Sequence, residues 1–330
     1  MRKSKLALVT GGAGFIGSHT VDLLLKLGYR VRVVDDLSNG KLENLDHHKS
    51  NQNLVFQQED ILNFTEFSNI MKGVDYVFHF AGLGDIVPSI VHPEKYFTIN
   101  TLGTIKVLKC AMSFDIKKFI YAASSSCYGL AEVPTTESNP IDTQYPYALS
   151  KYQGEQIALH WKKVYGLPVT SIRIFNAFGP RSKTSGTYGA VFGVFLAQKL
   201  AGKPFTVVGD GSQSRDFLYV TDVARAFVSA AEHETSFDYY NLGSGEPKTI
   251  NYLVNLLGGD SVNIANRPGE PLCTWADISR ISTDLGWTPE VSFESGVRNI
   301  LDNIDYWKDA PIWTENSINE ATSEWFKYLA

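Results

Sequence analysis

A tyrosine, a lysine and a serine near the middle of the chain have types and spacing suited to proton transfer. Tyr147 precedes Lys151 by four residues, so on a helix both side chains would leave the same face about one turn apart. An ammonium close to a phenol favours the phenolate and lowers the pKa of the phenol. Ser124, which lies 23 residues before the tyrosine, could donate a hydrogen bond to the oxygen on which the phenol acts. These residues predict a tyrosine base for a hydroxyl substrate.

A glycine-rich segment close to the amino terminus predicts a dinucleotide site. Residues 5–10 read as a buried strand, the segment Thr10-Gly-Gly-Ala-Gly-Phe-Ile-Gly17 follows, and an apolar-periodic helix runs to Leu25. Glycines of this spacing permit a tight turn, let backbone approach a pyrophosphate and let the helix pack closely on the strand. The helix N-terminus would favour the anion. The residues that we assign to this contact are Gly11, Gly14, Phe15, Ile16 and Gly17.

Two carboxylates follow the second predicted strand, Arg30 to Val34. Asp35 and Asp36 stand at about the distance along the chain that is expected for the acid binding an adenosine ribose 2′-OH. Two negative charges there would repel a 2′-phosphate, and no arginine replaces them. The sequence therefore favours NAD over NADP. A nicotinamide cation beside Tyr147 would lower the pKa of the phenol further.

Strand and helix patterns alternate along the first half of the chain. We predict strands at 54–57, 74–80, 118–123 and 168–175, with helices at 96–112 and from Tyr147 onward. Such alternation indicates a parallel sheet with helices on both faces, whose ligands bind beyond the carboxyl ends of the strands. The predicted fold class is α/β, a Rossmann-type doubly wound parallel sheet with a smaller mixed α/β substrate domain. We expect an NAD-binding domain at 1–176, with a returning segment at about 217–247, and a substrate-binding domain at 177–216 and 248–330.

Composition and charge exclude several classes of function. The chain has 330 residues, 44% hydrophobic content and a net charge of −5, which argues against nucleic acid as its partner. Three cysteines, Cys110, Cys127 and Cys273, show no metal-ligand spacing, so we predict no metal and free thiols in a reducing, cytoplasmic compartment. The first apolar run is too short for a signal peptide or a membrane span.

Seven motifs together resemble the NAD-dependent nucleotide-sugar epimerases and dehydratases of the extended short-chain dehydrogenase/reductase family. They are residues 10–17, 80–82, Asn100, 123–129, the Tyr147/Lys151 pair, 173–180 and 215–217. The resemblance is closest to UDP-glucose and UDP-N-acetylglucosamine 4-epimerases, and it implies a homodimer. It implies Ser124, Tyr147 and Lys151 as catalytic residues. The further NAD contacts that it implies are Asp35, Asp36, Asn39, Asp60, Ile61, Phe80, Ala81, Gly82, Asn100, Tyr147, Lys151 and Phe175. Gly84 departs from the lysine often found near the nicotinamide ribose.

The serines after the fifth predicted strand bear on the kind of reaction. Members of the family that eliminate water have a Thr-Asp-Glu stretch just before Tyr-Gly, and its carboxyl groups supply an acid and a base at C5 and C6. Here the stretch is Ser124-Ser125-Ser126, without a carboxylate. The resemblance then implies oxidation at C4, rotation of the 4-keto sugar and reduction from its other face. A UDP-glucuronate 4-epimerase, a 4,6-dehydratase with unrecognised acids and a non-enzymatic NAD-binding regulator remain alternatives.

The second half of the chain supplies the substrate contacts that the resemblance implies. Arg215 and Arg267 are similar to a diphosphate clamp, and Glu270 is similar to the acid that binds the uridine ribose. Thr274, or its neighbour Cys273, occupies the position that gates the C2 substituent, and its small size implies that N-acetylated sugars are accepted. The complete set of substrate contacts is Ser124, Ser125, Asn176, Ala190, Val191, Phe205, Arg215, Arg267, Glu270 and Thr274. The tail from Trp313 onward is predicted to be a docked terminal helix without a functional role.

Overall fold

A computed structural model describes residues 4–66, 68–182 and 191–329 of the chain. Seven parallel strands form its central sheet. Their spatial order is β3-β2-β1-β4-β5-β6-β11. The order reverses between β1 and β4, which is the crevice where ligands of doubly wound sheets bind. The α/β fold class predicted from the alternating pattern is confirmed. The strands are β1 (Leu6–Thr10), β2 (Arg30–Asp35), β3 (Leu54–Gln58), β4 (Tyr76–His79), β5 (Lys118–Ser124), β6 (Val169–Ile174) and β11 (Tyr239–Leu242).

Helices connect these strands and cover both faces of the sheet. The helix predicted over 96–112 is present, but a π-helical segment, Phe97–Gly103, separates its first turn from the regular helix that follows. Such π segments are frequent at functional sites. The helices are α1 (Phe15–Lys26), α2 (Ile86–Val91), α3 (Pro93–Tyr96), α4 (Thr104–Ala111), α5 (Pro146–Tyr165), α6 (Val191–Leu200), α7 (Val220–Glu232), α8 (Ile250–Leu257), α9 (Ser279–Leu285), α10 (Phe293–Asp302), α11 (Glu315–Ala321) and α12 (Ser323–Leu329).

Helix α5 carries the tyrosine and the lysine, and its ends are specified locally. Pro146 occupies the first turn, where its missing N–H costs nothing, and Gly166 ends the helix with a φ of 70°. In the middle of the helix, Glu155 receives two hydrogen bonds from the Arg173 guanidinium of β6, at 2.9 and 2.6 Å. Both side chains are at most 3% exposed. This buried ion pair fixes α5 against the sheet.

Three short strand pairs lie beyond the central sheet, and a second core packs around them. In this core Phe178 and Phe192 stack at 4.9 Å, and the fully buried Trp307 and the nearly buried Trp325 belong to the same cluster. The pairs are β7 (Asn176–Phe178) with β10 (Phe217–Tyr219), β8 (Phe205–Val208) with β13 (Ser261–Ile264), and β9 (Ser214–Arg215) with β12 (Lys248–Thr249). The strand predicted at 205–208 is confirmed.

None of the described helices combines the length and the apolar character that crossing a membrane needs.

Candidate active site

A cavity of about 840 Å³ opens beyond the carboxyl ends of the central strands. Its lining begins at the glycine turn after β1 and continues over the ends of β2, β4, β5 and β6 to the short strand pairs. This volume is typical of a site for a large organic ligand. The predicted residues that line it are Gly11, Gly14, Phe15, Ile16, Gly17, Asp35, Asp36, Asn39, Asp60, Ile61, Phe80, Ala81, Gly82, Ser124, Ser125, Tyr147, Lys151, Phe175, Asn176, Val191, Arg215, Arg267, Glu270 and Thr274.

The glycine turn has the geometry of an anion cradle. Gly11 adopts a φ of 69°, and a Cβ there would lie 2.7 Å from the backbone nitrogen of Ala81. A Cβ on Gly17 would lie 2.1 Å from the carbonyl oxygen of Gly11, so α1 can approach β1 only with glycine at this position. The N-cap of α1 is Gly14, and the N–H groups of the following turn open into the cavity. The backbone therefore offers donors where a pyrophosphate would sit.

The two aspartates after β2 differ in their surroundings. Asp35 is 7% exposed and accepts hydrogen bonds from the backbone N–H groups of Ala13 and Leu37, at 3.0 and 2.9 Å. Burial raises the pKa of Asp35, while these N–H groups act in the opposite direction. Asp36 is exposed and is bonded by Ser38. Asp35 is thus held in place with lone pairs left for ribose hydroxyls.

Tyr147 lies next to Ser124, and both residues line the cavity. Burial raises the pKa of Tyr147, a hydrogen bond with Ser124 lowers it, and Asp85 raises it. A positive charge in the cavity would favour the phenolate. The activation of Tyr147 by Lys151 stays a prediction.

Lys151 lines the cavity, and its charge is directed at an aromatic ring. Its Nζ is 4.6 Å from the centroid of the Tyr121 ring, and the side chain is nearly buried. Burial lowers the pKa of Lys151 to about 8, and Glu155 opposes this shift. Within the described ranges the ammonium makes no hydrogen bond. Three N–H donors in a cavity wall are well placed for the hydroxyls of a bound ribose.

Asn100 is not part of the cavity lining, and its direct contact with the cofactor stays a prediction. Its amide oxygen accepts from the N–H of Leu83 at 2.8 Å, and its amide nitrogen donates to the Leu83 carbonyl and to Ser150 Oγ. Asn100 is 1% exposed and belongs to the π-helical segment. It holds the 82–84 segment against α5, and that segment, including Gly84, does line the cavity.

Two further predicted substrate contacts are not part of the described cavity lining. Phe205 packs against Phe195 at 5.0 Å in the second core, whereas Thr206 and Val208 line the cavity. This fits the alternation of side chains between the two faces of a strand. Ala190 lies outside the described residues.

Glu270 bridges Arg215 and Arg267, the two arginines of the predicted diphosphate clamp. Arg215 donates to Glu270 Oε1 at 2.7 Å, and Arg267 lies 3.7 Å from Glu270 Oε2. Glu270 Oε2 is buried and has no hydrogen-bond partner in the described part of the chain. The two guanidinium groups and this unsatisfied oxygen could therefore receive phosphate and hydroxyl groups respectively.

Thr274 is fixed at the cavity wall by two hydrogen bonds. The N–H of Asp216 donates to Thr274 Oγ1 at 3.1 Å, so the threonine hydroxyl donates to Asn176 Oδ1 at 2.8 Å. The amide nitrogen of Asn176 is thereby left to donate elsewhere. Thr274 lines the cavity, and Cys273 is not part of the lining.

The cavity contains residues that sequence reasoning did not assign. Tyr145 lies beside Tyr147, with near-parallel rings whose centroids are 6.4 Å apart, and Trp325 comes from the terminal helix α12. Asp85 is a carboxylate close enough to raise the pKa of Tyr147. Tyr145 could have been found from its position two residues before the catalytic tyrosine. Nothing in the local sequence connects Trp325 with the site.

Among the described residues, Asp22, His47 and His48 form a cluster of potential metal ligands that the sequence analysis did not identify. His47 and His48 each place Nε2 2.8 Å from Asp22 Oδ1. The other oxygen of Asp22 accepts from Arg181 at 2.8 Å. The Arg181 guanidinium and the Asp22 carboxylate therefore form a hydrogen-bonded ion pair, to which both histidines are also hydrogen-bonded.

The described residues fit NAD at one end of the cavity. The glycine cradle fits a pyrophosphate, Asp35 fits an adenosine ribose, and the nearly buried ammonium of Lys151 fits the second ribose. A Rossmann-type sheet with these groups, and with Ser124 and Tyr147 in the lining of the same cavity, defines an NAD-dependent enzyme of the short-chain dehydrogenase/reductase type.

Comparison with known proteins agrees with that class. The NAD dependent epimerase/dehydratase family matches residues 7–243, and the chain belongs to this family. It is an NAD-dependent enzyme of the epimerase type, which removes the alternative of a non-enzymatic regulator. It is 33% identical to a putative UDP-glucose 4-epimerase of Methanocaldococcus jannaschii over 90% of this chain and 97% of the relative.

Two solved structures show the same similarity. The UDP-N-acetylglucosamine 4-epimerase from Methanobrevibacter ruminantium, in complex with UDP-N-acetylmuramic acid, has a TM-score of 0.85 and 34% identity, covering 93% of this chain and 99% of its own. The UDP-glucuronic acid 4-epimerase from Bacillus cereus, in complex with UDP-glucuronic acid and NAD, has a TM-score of 0.85 and 31% identity. The match covers 91% of this chain and 99% of the epimerase.

Proposed function

We propose that the protein is a UDP-sugar 4-epimerase whose substrates include UDP-N-acetylglucosamine and UDP-N-acetylgalactosamine, with UDP-glucose and UDP-galactose as further candidates. The sugar is oxidised at C4, the 4-keto sugar rotates, and it is reduced from the other face. The observation that supports this proposal is that Ser124 and Tyr147 line the same cavity as the glycine turn, Asp35 and the two arginines Arg215 and Arg267.

The proton chemistry belongs to Ser124 and Tyr147. The Tyr147 phenolate would take the proton of the sugar O4 as the ketone forms, and after rotation would return it to O4 when hydride returns to the opposite face of C4. Ser124 donates a hydrogen bond that stabilises negative charge on these oxygens, in keeping with its effect on the Tyr147 pKa. When bound, NAD would act as a reversible two-electron acceptor, and its cationic ring would favour the phenolate. Lys151 would hold the adjoining ribose.

The opposite end of the cavity suits a nucleoside diphosphate. Arg215 and Arg267 can exchange their contacts with Glu270 for phosphate oxygens, because a planar guanidinium binds either group in the same bidentate way. Glu270 is then released to accept from ribose hydroxyls. Anchoring the diphosphate leaves the sugar free to rotate about its phosphate bond, which epimerisation through a single tyrosine requires.

The size of Thr274 supports an N-acetylated sugar. Its side chain is tied to Asn176 and Asp216, so it does not move into the space beside it. A small fixed residue at this point leaves room for an acetamido group on C2. Asn176 offers an amide and no charge to the sugar, which favours a neutral sugar over a uronate.

A second candidate reaction is 4,6-elimination of water, and Asp85 is the observation that favours it. This carboxylate lines the cavity and affects the Tyr147 pKa. Elimination needs both an acid and a base beyond Tyr147, and positions 125 and 126 supply serines. Epimerisation uses the groups present without a further acid.

Separate incubation with UDP-N-acetylglucosamine, UDP-glucose and UDP-glucuronate, followed by NMR of the products, tests the proposal. We expect the galacto-configured product from the N-acetylated sugar, and no activity from Tyr147→Phe. A 4-keto-6-deoxy product would identify elimination. Turnover confined to UDP-glucuronate would exclude the proposed substrates.

A further inference from the structure

Trp325, near the end of the chain, reaches the substrate end of the cavity. It lies in α12, is 3% exposed and lines the cavity. Its indole Nε1–H donates to the carbonyl oxygen of Pro268 at 2.8 Å. The tail is held in place by the second core, to which Ile318 and Trp325 contribute, and α11 begins with a capping box between Thr314 and Ser317. The tryptophan is therefore presented by an anchored element.

The carbonyl that Trp325 bonds belongs to the loop 267–270, which carries half of the clamp. Gly269 has a φ of 71°, so the loop turns sharply after Pro268. Arg267 and Glu270, on either side of the turn, both face the cavity. The position of the Pro268 carbonyl thus determines where both charged groups stand.

The Trp325 ring makes two further contacts that lead into the site. The guanidinium of Arg267 lies 5.7 Å from the centroid of the ring. The ring of Tyr145 lies 6.2 Å away on the path to Tyr147. Trp325 is therefore packed between the arginine of the clamp and the aromatic wall that adjoins the catalytic tyrosine.

We propose that Trp325 is a positioning residue for the nucleoside diphosphate. Its indole N–H fixes the loop 267–270, and its ring supports the Arg267 guanidinium, so that the clamp is formed before the substrate arrives. This inference rests on the proposed function, because it assumes that the clamp receives a nucleoside diphosphate. It assigns a role in substrate binding to a terminal helix that the sequence presents as plain core.

The test compares two tryptophan-to-phenylalanine variants in tag-free protein loaded with NAD. Trp325→Phe keeps an aromatic ring and removes the N–H that holds Pro268. Trp307→Phe is the matched control, because Trp307 is buried in the same core and its Nε1 has no hydrogen-bond partner among the described residues. UDP affinity by calorimetry, KM and kcat, NAD content and thermal unfolding are measured for each protein.

We expect Trp325→Phe to bind UDP about five- to tenfold more weakly, the effect of one lost hydrogen bond. KM should rise by a similar factor, with kcat and NAD content unchanged, and Trp307→Phe should bind UDP as the wild type does. Equal UDP affinity in Trp325→Phe and wild type overturns the inference and leaves the proposed function intact. An equal loss in both variants also overturns it, since the effect would then be general destabilisation.

A wild-type protein that binds no UDP contradicts the proposed function, and the inference falls with it. If Trp325→Phe does not fold, the experiment uses wild-type protein labelled with 5-fluorotryptophan. Its fluorine signals are assigned from variants in which each of the other tryptophans is replaced singly by phenylalanine. UDP should shift the Trp325 fluorine signal and leave that of Trp307 in place. An unmoved Trp325 signal overturns the inference.

Discussion

At the scale of single residues, the state of the Tyr147 phenol decides whether the site can act. Burial raises its pKa, and the hydrogen bond with Ser124 is the protein contribution that lowers it. Ser124 therefore has two functions, as a donor to the substrate oxygen and as a group that stabilises the phenolate. The second function can be measured separately, because it appears in the pH dependence.

Ser124→Ala should raise the pKa of Tyr147, because the hydrogen bond that favours the phenolate is lost. The phenolate fraction at a given pH then falls, and the acidic limb of the kcat profile moves to higher pH. We also expect kcat to fall by at least about 100-fold, the usual range for a lost proton-transfer contact. Ser138→Ala, an exposed serine outside the cavity, should leave the profile in place. An unchanged acidic limb in Ser124→Ala would show that the serine does not affect the phenol.

The gate at Thr274 gives a second prediction at this scale. Thr274→Tyr should lower kcat/KM for UDP-N-acetylglucosamine by at least about tenfold relative to UDP-glucose, because the ring fills the space for the acetamido group. Thr274→Val separates size from hydrogen bonding, since it removes the bond to Asn176 at nearly constant volume. Competition between the two substrates in one tube measures the ratio directly. Equal losses for both substrates would refute the gate.

Some of these residues were predictable and others were not, for physical reasons. The glycine turn, Asp35, Tyr147 and Ser124 follow from motifs in which spacing alone dictates geometry. The hydrogen bonds of Asn100 and the packing of Phe205 could not be predicted, because the direction of a side chain depends on packing that the motif does not encode. The Lys151 ammonium faces the Tyr121 ring, a contact that the spacing of four residues also does not encode. The ligand contacts of these residues stay predictions.

At the scale of elements, α5 is the helix on which the site depends. It carries Tyr147 and Lys151, and the Glu155–Arg173 pair holds it against β6. Arg173 also donates to the hydroxyl of Tyr128 at 2.6 Å, so the pair is part of a buried network. Removing one partner would leave the other charge buried and unpaired, which is far more costly than losing an exposed pair.

Glu155→Gln should lower the free energy of unfolding by about 3–5 kcal/mol, as expected for a broken buried ion pair. Asp238→Asn provides the control, because Asp238, which is 56% exposed, pairs with Lys162 of α5, which is 35% exposed. That variant should change the free energy by about 0–1 kcal/mol. Urea unfolding measures both values. Similar losses in the two variants would show that the buried pair does not anchor the helix.

The elements themselves were predicted more securely than their contributions to the site. Alternating strand and helix patterns indicated the parallel sheet, and the structure confirms the strands. The terminal helices show the limit of this reasoning. An apolar pattern in 313–330 indicated a docked helix, but the face that meets the cavity depends on a contact between Trp325 and a loop 57 residues earlier in the chain.

At the scale of the whole molecule, one cavity joins the central sheet to the short strand pairs. Its NAD end is built from the carboxyl ends of the parallel strands, and its opposite end from the clamp and the terminal helix. Tyr147 and Ser124 belong to the lining of the same cavity. The domain division near residues 176, 217 and 247 and the homodimer implied by the family remain predictions.

The central claim is that the C4 hydrogen leaves the sugar and returns to the same carbon within this cavity. Epimerisation of UDP-N-acetylglucosamine in D₂O, followed by proton NMR of the product, tests it most directly. We expect a galacto-configured product with its C4 proton fully retained, because Tyr147 exchanges only the proton on O4 with solvent. Deuterium at C4 or C5, or a product that has lost water, would contradict the account.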